Sequence, residues 1–315
     1  MARNKKILLL FLCIIILLIS CKTYTYDRKN PYPNMEILRY SNSQAYLFPN
    51  EGTNKLIIMI EGSGWESVLG ERQDNTWLSV KYGAQFIQEL NNDYTFLILE
   101  KLRRQPGMIY FEDMEDRANY TAENILAGYT DSINSYLADH VFSSVILIGT
   151  SEGALLLPLL YESMNDKGKV IAMVSISFGG LSLYESYSIL RSFRTGYPSE
   201  WIEMFSDVLD TFNPENSDFP NSYEEDYYGL TYRWFNSFLH IRPFDYFTTT
   251  DISVLFIHGV ADYNVPVEST TCIQENLPDK PFEYRYYQWD HQPRDYATLI
   301  RFRKDTAEWI RRVSR

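Results

Sequence analysis

Ser151, Asp262 and His291 have the residue types and the chain order for nucleophilic chemistry. Ser151 stands in Gly149-Thr150-Ser151-Glu152-Gly153, preceded by Ile146-Leu147-Ile148 and followed by Ala154-Leu155. A strand, a G-x-S-x-G turn and a helix in succession lift a serine hydroxyl above a sheet, beside a helix amino terminus. There the helix dipole and free N–H groups favour developing negative charge. The flanking glycines have a steric reason, because so sharp a turn leaves no room for side chains. The same residues also read as a plain βα turn capped by Ser151.

A serine hydroxyl needs a base to become a useful nucleophile. The chain has four histidines. His140 falls at a helix end, His240 lies in an aromatic stretch, and His258 ends a strand, where packing is its natural role. His291, in Trp289-Asp290-His291-Gln292, follows the last strand on a loop that can bring an imidazole over the serine. Asp262 lies in a turn after the penultimate strand, within Gly259-Val260-Ala261-Asp262-Tyr263-Asn264-Val265-Pro266. A carboxylate there would hold the imidazole tautomer and stabilise its protonated form; capping the turn is its other reading. Asp290 is a rival, but a sequence neighbour is poorly placed to bond its own histidine ring while that ring faces the serine.

Such a constellation needs a scaffold, and the apolar pattern supplies one. Met35–Tyr40 and Gln44–Phe48 read as strands joined at Ser41-Asn42-Ser43. Lys55–Ile60, Thr95–Leu99, Ser144–Ile148, Val170–Ile176, Ile252–Ile257 and Phe282–Tyr287 read as further strands, most of them continuous apolar runs. Helical spacing marks Thr76–Leu90, Ala118–Leu137, Ala154–Met164 and Pro293–Val313. The alternation implies an α/β fold, a doubly wound and mostly parallel sheet with helices on both faces. It lapses over residues 181–250, which are rich in Tyr, Phe and Trp. The segment is expected to be an insertion that forms a lid over the strands' carboxyl ends. Its aromatics, including Tyr184, Phe193, Trp201, Phe205, Tyr227, Tyr228 and Trp234, read either as an acyl pocket or as the lid's own core.

Taken together, these pieces make the chain resemble an α/β hydrolase over roughly residues 35–313. The matching parts are Gly149–Gly153, His258-Gly259 with Asp262 and Val265-Pro266, and Asp290-His291. The resemblance implies a serine hydrolase acting on an ester or related acyl compound through an acyl-enzyme, without metal or organic cofactor. It also implies an oxyanion hole made of backbone N–H groups, one from Glu152 and one from the loop Glu61-Gly62-Ser63-Gly64-Trp65, at Ser63 or Gly62. Many members begin that loop with His-Gly; here Glu61 replaces the histidine, and an acidic group near an oxyanion must be paired or point away. Lys101, Arg103 and Arg104 beside the crevice read as solvated loop charge, with an acidic substrate group as the alternative partner. A peptidase or acyltransferase on the same fold, or a non-catalytic binding protein of the cell envelope, are the competing functions.

Bulk properties constrain the partners. At 45% apolar residues the chain is an ordinary globular protein, and a net charge of −12 argues against nucleic acid, whose phosphates need a basic surface. Arg3, Lys5 and Lys6 precede an apolar run from Ile7 to Ile19, shorter than the roughly 20 residues of a membrane-spanning helix. Leu18-Ile19-Ser20-Cys21 resembles a bacterial lipobox. The resemblance implies a signal peptide over residues 1–20, lipid attachment at Cys21, a tether over 21–34 and a membrane-anchored place in the cell envelope. A cleaved signal without lipid and an uncleaved anchor helix are the alternatives. With Cys13 in the signal and Cys21 lipidated, Cys272 is left without a disulfide partner.

Overall fold

The computed structural model describes residues 34–40, 43–63, 67–71, 77–80, 83–102, 114–192, 199–216, 218–293 and 295–315. The leader with Cys13 and Cys21, nearly all of the tether, Gly64, Trp65, Arg103, Arg104 and Phe193 lie outside them.

Eight strands form the central sheet: β1 (Glu36–Arg39), β2 (Gln44–Phe48), β3 (Lys55–Ile60), β4 (Thr95–Leu99), β5 (Ser144–Thr150), β6 (Val170–Ile176), β7 (Ser253–Gly259) and β8 (Phe282–Tyr287). Their order is β1-β2-β4-β3-β5-β6-β7-β8. β1 and β2 pair antiparallel, β2 meets β4 antiparallel, and every later neighbour is parallel. The apolar runs are unbroken because both faces are covered. Alternate side chains feed two separate cores. Leu56, Ile58, Ile60, Leu97 and Leu147 face one, while Ile57, Met59, Phe96, Ile98 and Ile146 face the other.

The helices number α1 (Gly83–Leu90), α2 (Met114–Asn119), α3 (Ala122–Asp139), α4 (Glu152–Ser163), α5 (Leu183–Ser192), α6 (Ser199–Thr211), α7 (Tyr232–Phe238), α8 (Pro243–Phe247), α9 (Glu268–Asn276) and α10 (Tyr296–Val313) among the described residues. α3 and α4 cover the first core through Ile125, Tyr129, Leu155 and Leu156; α1 and α10 cover the second through Phe86, Leu90, Phe302 and Trp309. Residues 181–250 hold α5 to α8 and a short ribbon, Asp226–Tyr227 against Leu230–Thr231. Several of their buried residues, among them Val208, Phe212, Phe235 and Phe238, join the first core.

Two expected helices are divided. Thr76–Leu90 is a strand at Trp77–Val80, paired with Leu69–Glu71, followed by α1 alone. A four-residue stretch with Trp and Val suits an antiparallel ribbon better than a helix. Ala118–Leu137 is broken because Thr121, extended at φ −125°, caps α3 by accepting from the Asn124 N–H. The break sends Tyr120 into the interior, where it meets the site.

Candidate active site

Each candidate side chain sits at the carboxyl end of a sheet strand. Ser151 connects β5 to α4 with φ 50° and ψ −117°, a conformation a non-glycine residue adopts only at a cost of about 1–3 kcal/mol. Its N–H donates to the Ile176 carbonyl at 2.8 Å, and its own carbonyl accepts the Ala154 and Leu155 N–H groups. The two glycines are sterically required. A Cβ on Gly149 would come within 2.5 Å of the Gly153 carbonyl oxygen, and one on Gly153 would land on that of Ile60.

The structure brings the three residues together. Ser151 Oγ is 2.9 Å from His291 Nε2, and His291 Nδ1 is 2.8 Å from Asp262 Oδ2. The second carboxylate oxygen, Oδ1, accepts the Asn264 and Val265 N–H groups at 2.8 and 3.0 Å. Asp262 is buried, which works to raise its pKa, but hydrogen bonding from His258 and His291 prevails and holds it at about 2. An ionised Asp262 accepts the Nδ1–H of His291, leaving Nε2 free to take the serine proton. Turn capping and imidazole bonding, set out as alternatives for Asp262, are thus done together, one by each oxygen.

The other histidines lie apart from the serine. His258 is fully buried between Thr270 Oγ1 at 2.7 Å and the Val265 carbonyl at 3.0 Å. His140 closes α3, bonded to the Tyr136 carbonyl, and His240 lies against the Tyr184 and Phe219 rings.

Gly62, Ser63 and Glu152 line the same cavity as Ser151 and His291. Gly62 comes so close that a Cβ there would lie 3.0 Å from Ser151 Cβ. The Glu152 N–H belongs to the first turn of α4, where backbone donors have no partner inside the helix. Glu61 is buried and accepts from the Thr150 hydroxyl at 3.2 Å. Lys101 is not solvated as expected; it is buried, and its charge acts on the carboxylate of Glu152.

Two features were not anticipated from the residue pattern. The Glu152 side chain is buried and accepts from Tyr120 Oη at 3.0 Å and Trp234 Nε1 at 3.1 Å, tying α7 to the residue after Ser151. Burial raises its pKa, and the Lys101 charge opposes the rise. Ser177, just after β6 at φ 58°, donates its hydroxyl to the His291 carbonyl at 2.9 Å and so braces the loop that carries the imidazole. Nothing in the Ser175-Ile176-Ser177 string distinguishes that serine.

The cavity over Ser151 is about 370 Å³. Its walls include Leu155, Phe178, Phe205, Trp234 and Phe238. Of the aromatics named from the sequence, Trp201, Phe205, Tyr228 and Trp234 line it. Tyr227 instead stacks on Tyr232 at 4.3 Å within the inserted segment.

No protein-family model matches the sequence, and no curated protein matches it either. Solved structures do. An esterase of Pyrococcus furiosus superposes with a TM-score of 0.58 at 15% identity, covering 91% of this chain and 94% of that one. Est1E of Butyrivibrio proteoclasticus gives 0.57 at 17%, covering 89% and 98%. An acylaminoacyl peptidase of Pyrococcus horikoshii gives 0.57 at 13%, covering 93% of this chain but 42% of its own. The chain has the α/β-hydrolase fold. Esterases and peptidases are among its structural neighbours.

Proposed function

We propose that this α/β-hydrolase-fold protein is a serine hydrolase that cleaves carboxylic esters through an acyl-enzyme. The observation that carries the reading is the continuous hydrogen-bonded line from Ser151 Oγ through His291 to Asp262, opening on one cavity. In the first step Ser151 Oγ attacks the ester carbonyl while His291 Nε2 takes its proton. Asp262 stays ionised and stabilises the imidazolium. The Glu152 N–H and a donor from Gly62 or Ser63 receive the oxyanion, each worth about 3–4 kcal/mol in the transition state. His291 then returns the proton to the departing alcohol, and water releases the acid by the same route in reverse.

The acyl group fits the apolar interior. A cavity of about 370 Å³, at the lower end of the range of small-molecule sites, suits a medium-length acyl chain or a single aromatic ring with a short linker. An ester fits this reading better than a peptide because the buried polar residues of the lining, Glu61, Thr150, Glu152 and Ser177, already bond to other protein groups, which leaves the Leu, Phe and Trp side chains to meet the substrate. One of the structural neighbours, Est1E, has been solved with ferulic acid bound.

Covalent labelling with a fluorophosphonate tests the reading on the full-length protein in detergent. The expected outcome is one adduct on Ser151, absent in Ser151→Ala and slowed in His291→Ala. No adduct on folded protein would sink the hydrolase reading. We further propose that Cys21 carries lipid and that residues after it tether the domain at the cell envelope. Metabolic labelling with an alkynyl fatty acid should mark the wild type and leave Cys21→Ala unmarked.

A further inference from the structure

The cavity has two unlike parts. Inside, Leu155, Phe178, Phe205, Trp234 and Phe238 are all buried, and the buried polar residues beside them, Glu61, Thr150, Glu152 and Ser177, are bonded to other protein groups. At the mouth stand Ser63 and Gln292, both exposed, with Asn264 and Trp201 half-buried and Tyr228 at 47% exposure. An acyl group drawn into the apolar interior leaves its alcohol among these mouth residues.

Tyr228 is held there against local preference. It forms a two-residue turn with Gly229, at φ 53° and 79°, between the paired segments Asp226–Tyr227 and Leu230–Thr231. Turns with both residues left-handed favour Asn, Asp or Gly at the first place, and another side chain costs about 1–2 kcal/mol. The ring is nonetheless fixed, since its hydroxyl donates to Asp207 Oδ2 at 3.1 Å, an oxygen that also accepts from Tyr227 Oη at 2.9 Å. The ring meets Tyr227 edge to face at 4.8 Å, and strain spent to hold an exposed, oriented ring at a cavity mouth points to recognition in addition to that packing.

Asn264 supplies a second, independent observation. Its side-chain oxygen is buried without a hydrogen-bond partner among the described residues. An orphaned acceptor of that kind costs about 1–3 kcal/mol, and a donor arriving in the cavity beside it would recover the cost. An alkyl alcohol brings no such donor. A polyol brings several, and offers a flat face to Tyr228.

We propose that the mouth is a leaving-group subsite for a polyhydroxylated alcohol, which rests on the Tyr228 ring and donates hydroxyl hydrogens to Asn264 and Gln292. The substrate class is then an ester of an apolar acid with a sugar or glycerol unit. The inference rests on the ester-hydrolase reading above. In the reaction the bond between the acyl carbon and the polyol oxygen breaks, the acyl carbon bonds to Ser151 Oγ, and the polyol leaves with the proton that His291 had taken from the serine.

The test compares octanoyl esters of glucose, glycerol and ethanol on the full-length protein, alongside fluorophosphonate labelling of Ser151. The polyol esters should exceed the ethyl ester in kcat/KM by about tenfold or more, the factor of one recovered hydrogen bond. Tyr228→Gly removes the ring in a backbone conformation glycine prefers, so the variant should fold. In it, and in Asn264→Ala, the polyol-to-ethyl ratio should fall toward one. A higher ratio for glucose than for glycerol supports the ring contact with Tyr228. A wild-type ratio near one, or a ratio unchanged in both variants, overturns the inference while labelling leaves the hydrolase reading standing. Absence of the adduct overturns the reading and the inference together.

Discussion

The sheet core and the segment of residues 181–250 are both built from large apolar side chains, yet they constrain those side chains differently. In β3 the residues Ile57 and Met59 enter one core and Leu56, Ile58 and Ile60 the other, so each position is packed on its own side of a fully covered strand. In α6 a single stripe, Phe205, Val208 and Leu209, is buried, and the rest of the helix is partly or fully open. The residues assigned to chemistry, Ser151, Asp262 and His291, all stand on loops leaving sheet strands. The inserted segment gives the cavity most of its aromatic walls, Phe178 being outside it, and one hydrogen bond to Glu152. On the proposed reading, chemistry that tolerates little displacement falls to the sheet, and shape to the segment that tolerates change.

The largest expected contrast is in rate. Ser151→Ala or His291→Ala should lower kcat by between about 10⁴- and 10⁶-fold, because the two act as a unit. Trp201→Ala, on the inserted segment, should cost about tenfold in kcat/KM on the same ester, as expected for part of a pocket wall lost. Steady-state kinetics on one octanoyl ester decides it. Equal losses would mean that the inserted segment takes part in the chemistry itself.

Stability should follow the same division. Gly153→Ala drives a methyl into the Ile60 and Glu61 carbonyls, which are held by the sheet, and should cost more than about 4 kcal/mol or prevent folding. Gly229→Ala meets nothing within 4 Å and has only its φ of 79° to contend with, so about 1–2 kcal/mol is expected. Urea midpoints measure both, and comparable losses would contradict the contrast.

A smaller effect comes from Asp262. Its folded pKa of about 2 lies below the ordinary 3.8, so the folded state favours the ionised form. The associated stabilisation, about 2 kcal/mol, is complete above pH 3.8 and is lost as pH falls from there toward about 2. The difference in unfolding free energy between wild type and Asp262→Asn should therefore shrink over that interval and stay level above it.

The division also governs what can be read from residues alone. Val170–Ile176 has the bounds its residues predict because a strand covered on both faces admits almost only apolar residues and its ends show, whereas Phe282–Tyr287, a partly open edge strand with Glu283 and Arg285 in it, is legible from its aromatic and β-forming residues instead. Ser151 and Asp262 are legible because each follows a buried strand, and His291 because it follows the last strand of the sheet. Where stability comes from local caps instead, the pattern misleads: Thr121 splits an apparently continuous helix, and no clear apolar period marks α9 behind Val265-Pro266. In residues 181–250 the stripe Phe205, Val208, Leu209 and Phe212 has helical spacing, but partly exposed aromatics around it blur the period. The strained φ of Ser177 and Tyr228 leaves no trace in composition, since either residue is ordinary by type.

The smallest expected effect separates the two regions by pH. His240 carries its ring against Tyr184 and Phe219, at centroid distances of 5.1 and 5.5 Å. Partial burial lowers its pKa below 6.5, with a backbone hydrogen bond at Phe212 pulling the other way. The unfolded state therefore takes up the proton first, and the stability tied to neutral His240 is complete above pH 6.5 and declines as pH falls toward the lower folded value. Asp262 contributes nothing to that decline until pH 3.8 is reached. Between those limits acidification should loosen the inserted segment while the sheet stays protected. Hydrogen exchange measures this directly: amides of α7 should exchange a few-fold faster, those of β5 should not change, and His240→Gln should abolish the difference. If β5 loses protection over the same range, the two regions open as one cooperative unit and the contrast drawn between them fails.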